Sequence, residues 1–215
     1  MRVPDLNFFP VALLAGGKSS RMPQPKGLMR FKGRPWLEWQ LDQLAACGMK
    51  DILVVLGYRS EEYYAAFKWL RKSIDSNVDH VGLRVRTVVN ELPEYGPFTS
   101  IQTAGREFEK MGFQSSFILP VDVPCPDRDV WIALAETVTD ACLPEWQSRG
   151  GHPVKLSHGF MRRLLALAPN APDSRLDQQI HQLPKECVAR LPVNDSKIVV
   201  NLNTPEDWVE WEKAN

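Results

Sequence analysis

Short apolar runs alternate with amphipathic stretches along the first 140 residues of the chain. The apolar runs predict buried strands at residues 8–14, 51–56, 84–89 and 116–119. The amphipathic stretches predict helices at residues 35–47, from an N-cap at Ser60 onwards, at 99–110 and at 127–138. This alternation indicates an α/β fold, in which a parallel sheet carries helices on both faces.

The last third of the chain has a weaker pattern. It predicts a long connection at residues 140–152, short helices at 158–167 and 175–183, and strands at 187–191 and 197–201 that pair antiparallel. A last helix begins after Thr204, which suits an N-cap and precedes Pro205 at the first helical position. No linker separates this third from the rest, so we expect one domain over residues 1–215.

The charges of the chain balance, because 26 Lys and Arg residues face 26 Asp and Glu residues. A net charge of zero provides no global basic field for nucleic acid or an anionic membrane. No apolar run reaches the roughly 18 residues that span a bilayer, and residues 1–10 lack the pattern of a secretory signal. The four cysteines are scattered without a C-x-x-C pair. Together these features predict a cytoplasmic protein with reduced thiols and no nucleic-acid or membrane partner.

The stretch LLAGGKSSRM, residues 13–22, contains the Gly-Lys-Ser triplet that ends a P-loop. Ala12 stands where that pattern needs its first glycine, and two prolines soon afterwards disfavour the helix that follows a P-loop. A glycine turn can still present backbone N–H groups to an anion. Three cations accompany the turn, namely Lys18, Arg21 and Lys26. They suit a polyphosphate, and the simpler alternative is a solvated turn with surface cations.

Polar side chains follow two other predicted strands. Asp122, in LPVDVP, can supply the carboxylate that Mg²⁺ takes together with substrate phosphate oxygens, or it can be a turn or capping aspartate. Asn201 and Asn203 would share one face of the last predicted strand, where they bind a metal-bound water or a phosphate, or serve only as turn residues. His152 follows two glycines in RGGHPV, and a lone histidine is more often structural.

Six segments, taken in order, resemble the MobA-like nucleotidyltransferases, the family of the molybdenum cofactor guanylyl- and cytidylyltransferases. They are LLAGGKSSRMPQPKGL, GRPWLEWQLDQL, NELPEYGPFTSIQTA, LPVDVP, GGHPV and NLNTPEDW, and they run from residue 13 to 208. The resemblance implies a Rossmann-like three-layer α/β sandwich with a mostly parallel central sheet. It also implies a single nucleotidyltransferase domain, with a nucleotide-binding half at residues 1–140 and an acceptor-binding half at residues 141–215.

The resemblance also implies roles for individual residues. Lys26, Arg21 and Asp122 would be catalytic, with Mg²⁺ bound by Asp122. The nucleotide would contact Leu14, Ala15, Gly16, Gly17, Lys18, Arg21, Lys26, Asn90, Gly96 and Ser100. The resemblance places Asn201 and Asn203 by the acceptor or the metal. Our own candidates for holding the acceptor's phosphate, from the last third of the chain, are Arg149, His152 and Arg175. Lys26, rather than the lysine of the Gly-Lys-Ser triplet, would be the essential one.

The nucleotide and the acceptor are left open by the same segments. LAGGK, KGL and NLNTPED resemble the guanylyl type, whereas Pro25, Asn90, FTSIQ and GGHPV resemble the cytidylyl type. The implied reaction transfers a nucleoside monophosphate from GTP or CTP to the terminal phosphate of a pterin cofactor and releases pyrophosphate. Related transferases act on sugar phosphates, methylerythritol phosphate or phospholactate. The remaining alternative is a non-catalytic nucleotide-binding module that partners a molybdoenzyme or its chaperone.

Overall fold

The computed structural model describes residues 4–74 and 76–215. Residues 1–3, which belong to the N-terminal segment judged above to lack a secretory signal, lie outside the described residues. The described strands are β1 Val11–Leu14, β2 Arg30–Phe31, β3 Arg34–Pro35, β4 Asp51–Leu56, β5 Val78–His80, β6 Leu83–Val89, β7 Ser115–Pro120, β8 Ala141–Trp146, β9 Arg149–Gly150, β10 Val154–Ser157 and β11 Val188–Pro192. The described helices are α1 Trp36–Ala46, α2 Ser60–Ala66, α3 Lys68–Lys72, α4 Pro97–Met111, α5 Arg128–Glu136, α6 His158–Leu165, α7 Leu176–His181 and α8 Pro205–Ala214.

One large sheet organises the molecule, and its strand order is β11-β8-β10-β7-β1-β4-β6-β5, with β9 paired to β8. The central strands β7, β1, β4 and β6 run parallel to one another, as do β8 and β11. The antiparallel members of the main path are β5 at one edge and β10 between β7 and β8. The predicted α/β fold with a mostly parallel sheet is therefore confirmed.

Hydrophobic clusters fill both faces of the sheet, which gives the sandwich three layers. The larger cluster packs α1, α5 and α8 against one face, with Trp36, Trp131 and Trp208 among its buried side chains. The smaller cluster packs α4, α6 and α7 against the other face. Strand β4 is buried along all six residues because it lies between these layers, which explains its continuous apolar run.

Several elements differ from the sequence expectations. Ser60 is the first residue of α2 and not its cap, because Arg59 precedes it in the left-handed conformation with φ of 58°. The expected connection at residues 140–152 contains strands β8 and β9, and β11 pairs parallel to β8 rather than antiparallel. Residues 197–201 form no strand, because the Asp195 side chain accepts a hydrogen bond from the N–H of Lys197 and starts a 3-10 turn, Ser196–Val199.

The start of α8 follows its expected pattern. The Thr204 side chain accepts a hydrogen bond from the N–H of Asp207, and the Asp207 side chain accepts one from the N–H of Thr204, which completes a capping box. Pro205 occupies the first helical position, where its missing N–H costs no hydrogen bond. Among the described residues, no helix is both long and apolar enough to cross a membrane.

Candidate active site

An open cleft of about 1150 Å³ lies across the carboxyl ends of β1 and β7, in the middle of the sheet. Parallel sheets commonly bind ligands at this edge, because loops from neighbouring strands converge there. The glycine loop that follows β1 forms one side of the cleft, and residues 150–152 and 174–177 form another.

The two glycines of the loop have different environments. A Cβ on Gly16 would lie 3.0 Å from backbone atoms of Leu56 and Gly57, so the loop packs directly on the end of β4. The N–H of Tyr58 donates to the carbonyl of Gly16 at 3.1 Å, which fixes this approach. A Cβ on Gly17 would meet nothing within 4 Å, and Gly17 lines the cleft. Gly16 therefore serves loop packing, while Gly17 leaves an open surface for a ligand.

Lys26 lies at the centre of a polar cluster on the cleft wall. Its Nζ donates to Oδ2 of Asp122 at 2.7 Å and to Oδ1 of Asn203 at 2.6 Å. Asp122 follows β7 directly and Asn203 precedes α8, so the cluster joins three distant parts of the chain. The side chains of Lys26 and Asp122 are only 16 % and 19 % exposed. The ammonium group is thus held in a fixed place while still facing the cleft.

Contacts around Lys26 hold its backbone. The N–H of Gly27 donates to Oη of Tyr63 at 3.1 Å, and a Cβ on Gly27 would lie 2.7 Å from the Tyr63 ring. Burial raises the pKa of Tyr63, so its hydroxyl remains neutral and can accept this bond. The N–H of Lys26 donates to Oγ of Ser19 at 3.3 Å. Sequence reasoning missed Tyr63, because its position in an apolar helical stripe indicated core packing alone.

Asp207 holds Asn203 from the other side. Its carboxylate accepts hydrogen bonds from the N–H groups of Asn203 and Thr204, each at 2.8 Å. Although burial acts to raise the pKa of Asp207, these hydrogen bonds outweigh it and lower the pKa below its usual value. The N–H of Leu202 donates to the carbonyl of Asp122 at 2.9 Å. The capping residue of α8 therefore also positions the amide that binds Lys26.

The loop that carries Asp122 is fixed by helix α1. The indole Nε1 of Trp36 donates to the carbonyl of Val121 at 2.5 Å, and Nε2 of Gln40 donates to the carbonyl of Val123 at 2.7 Å. The N–H of Cys125 donates in turn to Oε1 of Gln40 at 2.8 Å. Cys125 is 2 % exposed and does not line the cleft, and burial raises the pKa of its thiol. The thiol is therefore a neutral packing group.

Most of the residues expected at the site line one cleft. They are Leu14, Ala15, Gly16, Gly17, Lys18, Arg21, Lys26, Gly96, Ser100, Asp122, His152, Arg175, Asn201 and Asn203. Their joint presence on one surface brings together loops from both halves of the chain.

Asn90 and Arg149 are not among the described residues that line the cleft. Asn90 is 3 % exposed, and its Nδ2 donates to Oγ1 of Thr99 and to Oγ of Ser100, at 2.8 and 3.0 Å. It therefore lies behind Ser100 and orients it. Arg149 is exposed on β9, and the neighbouring Gly150 faces the cleft instead. Successive residues of a strand point to opposite sides, which explains the difference.

His152 reaches the cleft through the two glycines before it. A Cβ on Gly151 would come within 2.3 Å of the carbonyl oxygen of Ile198, so only glycine fits at that position. The N–H of His152 donates to the same carbonyl at 2.9 Å. Burial lowers the pKa of His152 despite the nearby Asp122 carboxylate, which favours a neutral imidazole at physiological pH. A neutral ring can donate or accept a hydrogen bond at the cleft.

Asn201 departs from the expected geometry because no strand forms there. It is exposed, and its Nδ2 lies 3.4 Å from the carbonyl oxygen of Val199.

Arg175 forms two hydrogen bonds with the Asp177 carboxylate, at 3.1 and 3.0 Å, and this contact lowers the pKa of Asp177. Arg190, which sequence reasoning missed, also lines the cleft. The alternation of residues 188–192 in a strand could have indicated it.

The charge of the cleft suits an anion. Five cationic side chains line it, namely Lys18, Arg21, Lys26, Arg175 and Arg190. The carboxylates that line it are Glu94, Asp122 and Asp177, and the last two are paired with cleft cations. An excess of positive groups at strand ends and beside an open glycine loop is typical of a phosphate-binding surface.

Asp122 is the candidate metal ligand. Across residues 4–74 and 76–215, no group of three or more His, Cys, Asp or Glu side chains could enclose a metal ion. Mg²⁺ usually takes one or two protein carboxylates and completes its coordination with water and substrate phosphate oxygens. A single carboxylate on a phosphate-binding surface fits this mode of coordination, and it does not fit a metal site whose ligands all come from the protein.

Comparison with known proteins places the site in a family. Residues 11–186 match the model of the MobA-like NTP transferase domain. A molybdenum cofactor guanylyltransferase of Ectopseudomonas mendocina is 28% identical over 211 residues, which cover 91% of this chain and 88% of that protein.

Solved structures agree on the fold. Rv0371c of Mycobacterium tuberculosis H37Rv superposes with a TM-score of 0.74 at 19% identity, over 95% of this chain and 98% of that one. The same protein was also solved in complex with manganese, with a TM-score of 0.69 at 18% identity over 96% and 98% of the two chains. A 4-diphosphocytidyl-2C-methyl-D-erythritol synthase of Anaerococcus prevotii superposes with a TM-score of 0.68 at 15% identity, over 96% and 95%. With the family model covering most of its length, the chain belongs to the MobA-like NTP transferases and is a nucleotidyltransferase.

Proposed function

We propose that the protein transfers a nucleoside monophosphate from GTP or CTP to the terminal phosphate of molybdopterin or the molybdenum cofactor, with release of pyrophosphate. The observation that carries the proposal is the ammonium group of Lys26, fixed between Asp122 and Asn203 beside a glycine loop in a cationic cleft. The choice of acceptor is supported by the molybdenum cofactor guanylyltransferase relative.

The triphosphate would bind along the glycine loop. The open backbone at Gly17 and the cations Lys18 and Arg21 suit its β- and γ-phosphates, and Lys26 suits the α-phosphate. The nucleobase would lie towards Leu14, Ala15 and Ser100, the last of which is oriented from behind by Asn90. Such a site acts by holding the phosphates in place and neutralising their charge.

In the proposed reaction, an oxygen of the acceptor's phosphate attacks the α-phosphorus of the nucleotide. The new phosphorus–oxygen bond forms as the bond from the α-phosphorus to the bridging oxygen breaks, and pyrophosphate leaves with that oxygen and its electron pair. Lys26 would stabilise the negative charge that develops on the α-phosphate. Arg21 would stabilise the leaving pyrophosphate in the same way.

Asp122 and the substrate phosphates would together bind a divalent cation, for which we propose Mg²⁺. When bound, the ion would supply further neutralisation of the phosphate charge. The manganese complex of Rv0371c supports a divalent metal in this fold. Because Lys26 already occupies one oxygen of Asp122, the other carboxylate oxygen is the natural ligand.

A second candidate is the same chemistry on another phosphorylated acceptor, such as a sugar phosphate, methylerythritol phosphate or phospholactate. It is favoured by the likeness to the erythritol synthase of Anaerococcus prevotii. A non-catalytic nucleotide-binding module, partnering a molybdoenzyme or its chaperone, is the third candidate. The fixed Lys26–Asp122 pair argues against it, since binding alone needs no carboxylate beside the essential lysine.

Pyrophosphate release tests these candidates. The purified protein would be mixed with Mg²⁺, molybdopterin and GTP, CTP, ATP or UTP in separate reactions. We expect release with GTP or CTP only, which would also name the nucleotide. Release that requires methylerythritol phosphate or a sugar phosphate in place of molybdopterin would support the second candidate. Nucleotide binding without release for any acceptor would support the third.

A further inference from the structure

Arg190 is a cleft residue to which the family resemblance assigned no role. We propose that Arg190 binds the end of the acceptor that is remote from the reacting phosphate, and that it selects acceptors with a long, flat body over short sugar phosphates. This inference rests on the proposed function, because it names the acceptor's contacts in the same cleft.

The position of β11 separates Arg190 from the reacting centre. Asp122 directly follows β7, and β11 lies three strands away in the order β7-β10-β8-β11. With about 4.8 Å between neighbouring strands, the strand axes are about 14 Å apart. A side chain reaching back from β11 into the cleft would therefore meet the far end of a ligand whose phosphate lies at Asp122 and Lys26.

The floor between these two points is apolar. Ile118 on β7, Val154 on β10 and Leu143 on β8 line the cleft in succession, and Arg190 is the register partner of Leu143 on β11. Leu176 and Ile180 of α7 line the same cleft. An apolar floor with a cation at each end suits a ligand with a flat ring body, an anionic group at one end and hydrogen-bond acceptors at the other.

The guanidinium of Arg190 has room and is not engaged by the protein. A Cβ on Gly150 would lie 2.9 Å from Nη1 of Arg190, so this glycine leaves the space that the guanidinium crosses. Within residues 4–74 and 76–215 Arg190 forms no salt bridge and no side-chain hydrogen bond, whereas Arg175 is held by two bonds to Asp177. A planar fork of free donors can bind a ring carbonyl or stack on a ring face.

Kinetics of two variants test the proposal. Arg190→Ala is expected to raise the KM for molybdopterin about 10- to 100-fold, the range for losing hydrogen bonds to a charged group, with kcat and nucleotide Kd nearly unchanged. Arg106→Ala is the matched control, because it removes an exposed arginine of α4 that does not line the cleft. It should leave all three constants unchanged. An unchanged acceptor KM in Arg190→Ala, or a loss of nucleotide affinity, would overturn the proposal.

A binding measurement separates this proposal from the reaction itself. Pterin, which has the ring but no phosphate, would be titrated by its fluorescence into the wild type and both variants. We expect weaker binding to Arg190→Ala than to the wild type and to Arg106→Ala. Equal binding by all three proteins would overturn the role of Arg190 even if turnover with molybdopterin is confirmed. Absence of wild-type turnover together with the expected pterin difference would instead overturn the proposed reaction and keep the ring site.

Discussion

The two ends of the cleft are built in different ways. The glycine-loop wall, residues 14–21 with Lys26 and Asp122, is tied down by buried contacts from Tyr63, Gly57 and helix α1. The other wall, which we call the β11 wall, consists of residues 150–152 and 174–177 with Arg190, and its arginines at 175 and 190 are exposed. In the described chain these two arginines form one ion pair, Arg175–Asp177, and both of its side chains are about two-thirds exposed. In the first wall Lys26 and Asp122 are held in place before any ligand binds, although Lys18 and Arg21 are exposed, whereas the arginines of the second wall lie in solvent.

This difference indicates that the two walls have different roles, one in stabilising the transition state and the other in recognising the acceptor. Charges that act on a transition state must not reorganise during the reaction, which favours the fixed ammonium of Lys26. Charges that recognise a substrate can remain solvated until it binds, since exposed pairs cost little to rearrange. We therefore expect changes in the glycine-loop wall to affect nucleotide binding, kcat or folding, and changes in the β11 wall to affect acceptor KM.

The largest effect is expected from a substitution of Lys26, which is held in place in the glycine-loop wall. Lys26→Ala should lower kcat by about 10³-fold, because it removes the cation nearest the reacting phosphate and leaves Asp122 without its partner. Pyrophosphate release under saturating substrates measures this. Lys18→Ala, a loss of charge in the same wall without a salt bridge in the described chain, should cost about tenfold at most. Undiminished turnover by Lys26→Ala would remove Lys26 from the catalytic role.

The next effect tests whether buried packing holds the glycine-loop wall. Gly57→Ala would bring a Cβ within 2.8 Å of the carbonyl oxygen of Gly16, so it should reduce the free energy of unfolding by about 1–3 kcal/mol. Gly17→Ala is the control, because its Cβ meets no atom within 4 Å. It should weaken nucleotide binding without changing stability. Thermal unfolding measures the stability and nucleotide titration measures the binding. Equal stability of the two variants would contradict the tight packing of Gly16 against Gly57.

A smaller effect is expected from a substitution of Arg175 in the β11 wall. Arg175→Ala should raise the acceptor KM about fivefold, less than Arg190→Ala, because Asp177 already engages much of the Arg175 guanidinium. Nucleotide Kd should be unchanged. Steady-state kinetics with the acceptor varied, together with nucleotide titration, check both values. A fall in nucleotide affinity would show that Arg175 belongs to the glycine-loop side of the cleft.

The smallest effect concerns pH and Asp207. The pKa of this carboxyl is lower in the folded protein than in the unfolded chain, so its contribution to stability is present above the unfolded value of about 3.9 and is lost as pH falls through the folded pKa. Asp207→Asn should lower Tm by a few degrees at pH 6, and the gap to the wild type should begin to narrow as the pH falls below about 4. Glu206→Gln, in the same exposed turn, serves as the control. A gap that does not narrow at all as the pH falls below about 4 would rule out ionised Asp207 as its cause.

The fold could be read from the sequence wherever a strand is buried on both faces. Strand β4 was predicted with its observed bounds, because both of its faces require apolar side chains. Strand β8 contains Pro144 and Glu145 and is only partly buried, so its local pattern did not separate it from a loop. The direction of β11 depends on how the chain crosses α7 to reach β8, which no local pattern records.

Only part of the candidate site could be predicted from the sequence. Asp122 was noticed because it lies just past a predicted strand, and Lys26 because it is one of three cations near the glycine turn, while the catalytic role of Lys26 was implied by the family resemblance. Tyr63 and Asp207, which hold the cluster, were not identified, because one resembles a core residue and the other an ordinary helix cap. The placement of Asn90 behind Ser100, and of Arg149 away from the cleft, depends on side-chain directions set by the surrounding elements.

The amino-acid sequence by itself determined the class of fold, the glycine loop, the cations beside it and the carboxylate after β7. Periodicity and turn chemistry act over a few residues, so these features can be read locally. Only the tertiary structure decided that Lys26 contacts Asp122 and Asn203, which lie 96 and 177 residues further along the chain. It also decided that Arg190 crosses Gly150 to face the cleft. The physical reason is that sheet order and packing, not neighbouring residues, bring such groups within bonding distance.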